Sequence, residues 1–412
     1  MSHQLVHYGI LLSNAVDKNQ FISRVLSGKN EDVLNVFNGL NGMAFSDLTI
    51  AQFIKKEYKH RTIEITQSEE RPLHTFSSGE RRKVLLDYCL AQHPDFIIFD
   101  NPFDHLDQLS RQEFLDVLKE LSASISILQI AHREESLLPF VKKKGYVYDN
   151  SFTIHEYPKE DLDFKLGQDL KMPDSFLSFE KKYDHLFALH NVSVNYNHHQ
   201  ILKDISWKVN HGEFWQLIGP NGSGKSTLLS LITGDNPQGF GQDLLLFGRK
   251  KGTGESVWDI KNKIGYYSTN IAELFERNHT VEQMVLSGYY DSIGLYRQAS
   301  DVQIKSVAKW LQMVNMEHLK KHYFNRLSNG QQRLILIIRA IIKQPPLLIL
   351  DEPLEGLDQE NMSMVSLLIN KIVEQSNIAV IYVSHTFEPS LVPSHIYKLI
   401  PSAEGSIGRL QA

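Results

Sequence analysis

Three stretches of this 412-residue chain occur twice, in the same order and at the same intervals. "FSSGERRKVLL", from Phe76, matches "LSNGQQRLILI", from Leu327; "FIIFDNPFDHLD" matches "LLILDEPLEGLD"; "SILQIAHR" matches "AVIYVSHT". Ser77 to Asp100 and Ser328 to Asp351 are both 23 residues apart, and Asp100 to Asp107 and Asp351 to Asp358 both 7. Self-similarity of this kind predicts two copies of one domain laid end to end. The apolar runs "FIIFD" and "LLILD" have the continuous hydrophobicity of strands buried on both faces, so each copy is expected to be an α/β domain around a parallel sheet.

Only the second copy carries an intact phosphate loop. "GPNGSGKS", Gly219 to Ser226, satisfies G-x-x-x-x-G-K-[ST] between an apolar strand, "FWQLIG", and a helical run, "STLLSLIT". Gly219, Pro220, Asn221, Gly222, Ser223 and Gly224 can turn backbone N–H groups inward around phosphates, and the helix begun by Lys225, Ser226 and Thr227 offers its positive end. Lys225 is expected to meet the β/γ oxygens and Ser226 to hold Mg²⁺. At the end of "LLILD", Asp351 is placed for the same Mg²⁺ and Glu352 for the attacking water. His385 ends the next apolar strand and is the candidate for the γ-phosphate. Tyr196, 23 residues before Gly219, is the candidate base-stacking ring.

In the first copy, "VFNGLNGMAFSD" (Val36 to Asp47) can be laid on "LIGPNGSGKSTL", which puts Ala44 and Phe45 where Gly224 and Lys225 stand. On that alignment the first copy has lost its phosphate lysine. Ser46 to Ser77 is 31 residues against 102 from Ser226 to Ser328, a deficit of 71. Asn101 stands in place of Glu352, so the water-activating carboxylate is also missing. The expected organisation is a degenerate first domain over 1–150, a charged, proline-containing linker over 151–186, and a complete domain over 187–412, with an antiparallel β subdomain and a helical subdomain.

The order of phosphate loop, "LSNGQ", "LLILDEP", "GLD" and a histidine ending a strand resembles the ATP-binding cassette (ABC) family of P-loop NTPases, whose hallmark is the Leu327–Gln331 element. The stretches "VWDIKNKIGYYST" and "LSGYYDSIGLY" look like the tandem-cassette ATPases named as molybdenum-transport ATP-binding or photorepair proteins. The resemblance implies ATP hydrolysis with Mg²⁺, and cassettes paired head to tail so that the signature of one covers the phosphate loop of the other. Ser77 and Gly79 of the first copy would then complete the second copy's site in cis. The alternative is two chains paired through their second copies, with Ser328, Gly330 and Gln331 as the completing signature. The resemblance also implies either a separate membrane permease subunit or, in a second reading, a soluble macromolecular client. Thr269 stands where the family usually has a glutamine after its "IGY" strand, which weakens the expected coupling to a membrane partner.

Composition closes off other classes. A net charge of −5 gives no general footprint for nucleic acid. No apolar run reaches the roughly 18 residues that cross a bilayer, and the N-terminus lacks a secretory pattern, so a cytoplasmic protein, peripheral to the membrane at most, is expected. The single cysteine, Cys89, excludes a disulfide framework and reads as a core residue.

Overall fold

The computed structural model describes residues 5–14, 16–60, 65, 72–76, 78–104, 106, 108–155, 171–173, 183–196, 199–269, 271, 279–385 and 388–411. It divides into two compact units, Met1–Asp161 with Gly356–Gln359, and Leu162–Glu355 with Glu360–Ala412. Most of the 151–186 stretch lies outside the described residues.

The first unit runs β1 (His7–Leu12), α1 (Lys18–Leu26), β2 (Gly42–Phe45), α2 (Asp47–His60), α3 (Ser78–Ala91), β3 (Phe96–Asp100), α4 (Gln108–Leu121), β4 (Ser126–Ala131) and β5 (Lys143–Val147). The strands form one parallel sheet in the order β2-β3-β4-β1-β5. Strand periodicity sends alternate residues to opposite faces. Phe96 and Ile98 join Phe21, Ile22 and Val25 of α1 in one core, whereas Ile97 and Phe99 join Leu85, Leu86 and Cys89 of α3 and Leu118 of α4 in another. Both faces are thus covered, as the unbroken apolar run of β3 requires. Cys89 is fully buried and burial pushes its thiol up to about 12, so it is the packed core residue expected.

The second unit runs β6 (Phe187–Tyr196), β7 (His199–Val209), β8 (Phe214–Ile218), α5 (Lys225–Ile232), β9 (Leu244–Leu246), β10 (Arg249–Lys250), α6 (Val257–Lys261), β11 (Ile264–Ser268), α7 (Val281–Ser287), α8 (Asp301–Met313), α9 (Asn329–Ile341), β12 (Leu347–Asp351), α10 (Gln359–Gln375), β13 (Ala379–Ser384), β14 (His395–Ile400) and β15 (Ile407–Gln411). An antiparallel sheet, β10-β9-β6-β7, accompanies a six-stranded sheet, β11-β12-β13-β8-β14-β15. Four of its helices start at reciprocal capping boxes, Ser256/Asp259, Thr280/Gln283, Ser300/Gln303 and Ser328/Gln331, which satisfy the orphan donors of the first turn.

The first unit's sheet and the parallel strands of the six-stranded sheet, whose edge strand β15 alone runs antiparallel, identify each strand of the degenerate copy. β3 and β4 hold the repeated motifs and take the places of β12 and β13. That puts β1 in the place of β8, the phosphate-loop strand, and β2 in the place of β11, the strand of "IGYYS". Register agrees, since Gly42 faces Phe96 as Ile264 faces Leu347. The alignment of "VFNGLNGMAFSD" with the phosphate loop is therefore wrong: Val33–Phe37 is a 3₁₀ turn and Gly42–Phe45 is itself a strand. Gly42 is small because a Cβ there would lie 2.2 Å from the Phe96 ring, and phosphate has no part in it. The deficit changes too. Leu12 to Phe96 spans 84 residues and Ile218 to Leu347 spans 129, so the first unit is shorter by 45 residues over this stretch, not 71.

Candidate functional site

The loop from β8 to α5 is shaped by its glycines. Gly222 and Gly224 take φ of 75° and 89°, in the left-handed region closed to most side chains. A Cβ on Gly224 would also lie 2.7 Å from Leu202 Cδ2. Gly224 is the N-cap of α5 and offers no side-chain cap, so the first-turn N–H groups keep an open end toward an anion. Asn221, Gly222 and Ser226 are exposed, Gly219 and Ser223 are buried, and Pro220, Lys225 and Thr227 are half-buried. The Lys225 ammonium donates to the carbonyls of Gly219 at 2.7 Å and Pro220 at 3.1 Å, folded back over the loop that it would share with phosphate.

Asp351, the last residue of β12, is half-buried beside this lysine. Burial, reinforced by the neighbouring Glu352 charge, raises its carboxyl to about 6, and Lys225 pulls the other way. The Tyr266 hydroxyl donates to Asp351 Oδ2 at 3.4 Å. Glu352 has φ of 53°, an unusual conformation for a non-glycine residue, fixed by its N–H bond to Val383 O at 3.0 Å. His385 Nδ1 sits 3.4 Å from Glu352 Oε1, and this bond is the main reason that the Glu352 carboxyl lies well below its usual range, against the upward push of burial. Glu355 completes a trio with Glu352 and His385, with ligand atoms all within 4.8 Å.

Tyr196 ends β6 with its ring exposed and its hydroxyl accepting from Asn236 Nδ2, which also reaches Ser230 Oγ on α5. Ser328 caps α9 and accepts from the Gln331 N–H, and a Cβ on Gly330 would lie 1.9 Å from Asn361 Oδ1 on α10. Gly79 falls in the first turn of α3, and Ser77 lies outside the described residues.

The first unit has its own strand-loop-helix, and it differs from the expectation in an instructive way. β1 leads into Ser13–Asp17, a loop one residue shorter than Gly219–Gly224 and without glycine. α1 begins at Lys18 as α5 begins at Lys225, so a lysine does occupy the position; the loss inferred at Phe45 does not hold. What has changed is its partner. Lys18 Nζ makes a 2.9 Å ion pair with Asp100, which is buried at the end of β3 as Asp351 ends β12. Asp17 caps α1, its carboxylate accepting from the Gln20 N–H, so a negative charge already sits where a phosphate would go. Asn101, in the place of Glu352, shares its left-handed backbone (φ of 43°) and donates to Asp100 Oδ1. His132, in the place of His385, turns instead toward the Leu12 carbonyl.

Two further residues escaped the sequence reading. The Arg333 guanidinium donates to the carbonyls of Pro353 and Glu355, and more distantly of Glu352, clamping the loop that carries the candidate base. In the first unit Arg82 does the same for Pro102 and Asp104, and pairs with Asp47. The signal was present in the repeat itself, because Arg82 and Arg333 both fall five residues after the signature serine. Tyr266 gave no such signal, since a tyrosine in a strand reads as packing.

The donor set suits a divalent cation. Asp351 is a desolvated carboxylate with no ion-pair partner among the described residues, and its counterpart Asp100 is neutralised by an ammonium.

A family model described as ABC transporter matches residues 202–355. The ABC transporter ATP-binding protein ModF of Escherichia coli (strain K12) is 40% identical over 354 residues, covering 82% of this chain and 72% of that protein. An uncharacterized ABC transporter ATP-binding protein of Schizosaccharomyces pombe is 29% identical over 320 residues, covering 76% of this chain and 65% of its own length. A solved structure described as RNase-L Inhibitor covers 98% of this chain and 85% of that one with a TM-score of 0.63, at 18% identity, a likeness of fold. The archaeal ribosome recycling factor, solved with a ribosomal stalk protein, gives a TM-score of 0.62 at 18% identity, over 98% of this chain and 85% of the matched one. With an α/β P-loop fold and a relative of this similarity, the chain belongs to the ABC transporter ATP-binding family and is an ABC-type ATPase.

Proposed function

We propose that the chain hydrolyses ATP at one productive site, built by the second unit, while the first unit has exchanged nucleotide for internal charge pairing. The observation that carries this reading is the contrast between two helix starts. α5 opens behind Gly224 with no side-chain cap, and α1 is closed by the Asp17 carboxylate with Lys18 committed to Asp100. An anion is favoured at the first and repelled at the second. The test is stoichiometry by calorimetry with Mg-ATP. One nucleotide per chain is expected, and none after Lys225→Ala; two per chain, or binding that survives Lys225→Ala, refutes the proposal.

In this reading Gly219 to Thr227 hold the triphosphate, with Lys225 turning from the Gly219 and Pro220 carbonyls to the β/γ oxygens. Ser226 and Asp351 would hold Mg²⁺, which when bound neutralises charge building on the phosphoryl oxygens. Glu352 accepts a hydrogen bond from the attacking water, and His385 orients Glu352 through Nδ1 and lies ready for the γ-phosphate. Tyr196 would stack on the base. The completing signature is distinguishable by substitution: loss of hydrolysis in Ser77→Arg supports Ser77 and Gly79 in cis, and loss in Ser328→Arg supports a homodimer closed by Ser328, Gly330 and Gln331.

For the work driven by hydrolysis, we favour energising transport through a separate membrane subunit, which the name of the 40% identical relative supports. No helix of the described residues is long and apolar enough to cross a membrane; in this reading the permease is another chain, with this one peripheral to it in the cytoplasm. Thr269, in place of the family's glutamine, supports the second reading, an ATP-gated switch acting on a soluble macromolecular client. Co-purification of a Glu352→Gln protein trapped with ATP separates them: recovery with membranes supports the first, recovery with a soluble complex the second.

A further inference from the structure

Tyr266 occupies the third position of β11, opposite Ile349 of β12, and reaches across to the end of that neighbouring strand. Its hydroxyl donates to Asp351 Oδ2 at 3.4 Å, longer than the usual O–H···O range, so it steers the carboxylate gently and does not saturate it. The ring is mostly covered and forms part of the wall of a cavity of about 420 Å³, which Ser226 also lines. Tyr266 therefore touches the space beside one candidate Mg²⁺ residue and bonds directly to the other.

The first unit supplies the comparison. The equivalent position, opposite Ile98 of β3, is Ala44, which has no hydroxyl to offer. There the aspartate needs none, because Lys18 and Asn101 already fix it. The tyrosine accompanies the aspartate that has no ion pair among the described residues and is absent from the one paired with Lys18.

We propose that Tyr266 is a positioning residue for metal binding: by donating to Oδ2 it holds the Asp351 carboxylate in the orientation from which it would bind Mg²⁺. The proposal rests on the reading of Asp351 as a Mg²⁺ residue. Tyr266→Phe removes the O–H and keeps the ring, so the cavity wall and the strand survive. The measurement is displacement of a fluorescent ATP analogue, with no turnover required, in EDTA and across a Mg²⁺ titration, beside Asp351→Asn. Loss of one such hydrogen bond should raise the Mg²⁺ half-saturation about fivefold to tenfold, with affinity in EDTA unchanged within twofold. If Asp351→Asn keeps the full Mg²⁺ enhancement, the underlying reading of Asp351 fails. If Asp351→Asn abolishes it but Tyr266→Phe leaves the half-saturation unchanged, or weakens binding equally with and without Mg²⁺, the role of Tyr266 is overturned.

Discussion

Arg333 touches neither nucleotide nor metal in the proposed mechanism, yet it should control the rate of hydrolysis. Its guanidinium donates to the carbonyls of Pro353 at 3.1 Å and of Glu355, with a longer contact of 3.5 Å to Glu352. Hydrogen bonds from a charged donor contribute about 1.5 kcal/mol or more each, so the two shorter ones supply about 3 kcal/mol to this loop. Against them stands the left-handed backbone of Glu352, which costs a non-glycine residue about 1–2 kcal/mol. In Arg333→Ala that strain is opposed mainly by the Glu352 N–H bond to Val383 O. Since about 1.4 kcal/mol is a factor of ten in population, loss of 1.5–3 kcal/mol predicts a fall in kcat of roughly tenfold to a hundredfold. Affinity for Mg-ATP should change less than threefold, because the phosphates are held by the glycine loop and Lys225. Steady-state hydrolysis beside equilibrium nucleotide binding measures both. A kcat within twofold of the parent, or equal losses in rate and affinity, would show that the clamp does not act through Glu352.

Glu352→Asn copies the first unit, where Asn101 takes the same backbone region more readily; hydrolysis should vanish while thermal unfolding rises by a degree or so, and a lower melting temperature would contradict the strain argument. Asp351 titrates near 6 when folded against about 3.8 when unfolded, so its burial is a cost present above pH 6 and relieved as pH falls toward 4. Asp351→Asn without nucleotide or metal should therefore stabilise the protein at pH 7.5, with the gain shrinking between pH 6 and pH 4; a gain independent of pH would refute the assignment. Gly42→Ala should destabilise the first unit, since its Cβ would meet the Phe96 ring at 2.2 Å, and leave Mg-ATP affinity unchanged, as melting curves and nucleotide titration would show.

Sequence alone determined the duplication, the parallel α/β architecture and the position of the glycine-rich phosphate-loop motif. These are local properties: a phosphate loop needs glycines where φ is positive, a strand buried on both faces needs an unbroken apolar run, and each is written in consecutive letters. Only the tertiary structure decided which strand of the damaged copy is which. Once the glycines were gone, "SNAVDK" carried no signature, whereas the turn residues of "NGLNG" imitated one, and position in the sheet corrected both. The same holds for the side-chain pairs around the two loops. Lys18 with Asp100, Tyr266 with Asp351 and Arg333 with the Glu352 loop meet across neighbouring strands and helices, and partners set by strand order and register leave no mark in the sequence between them.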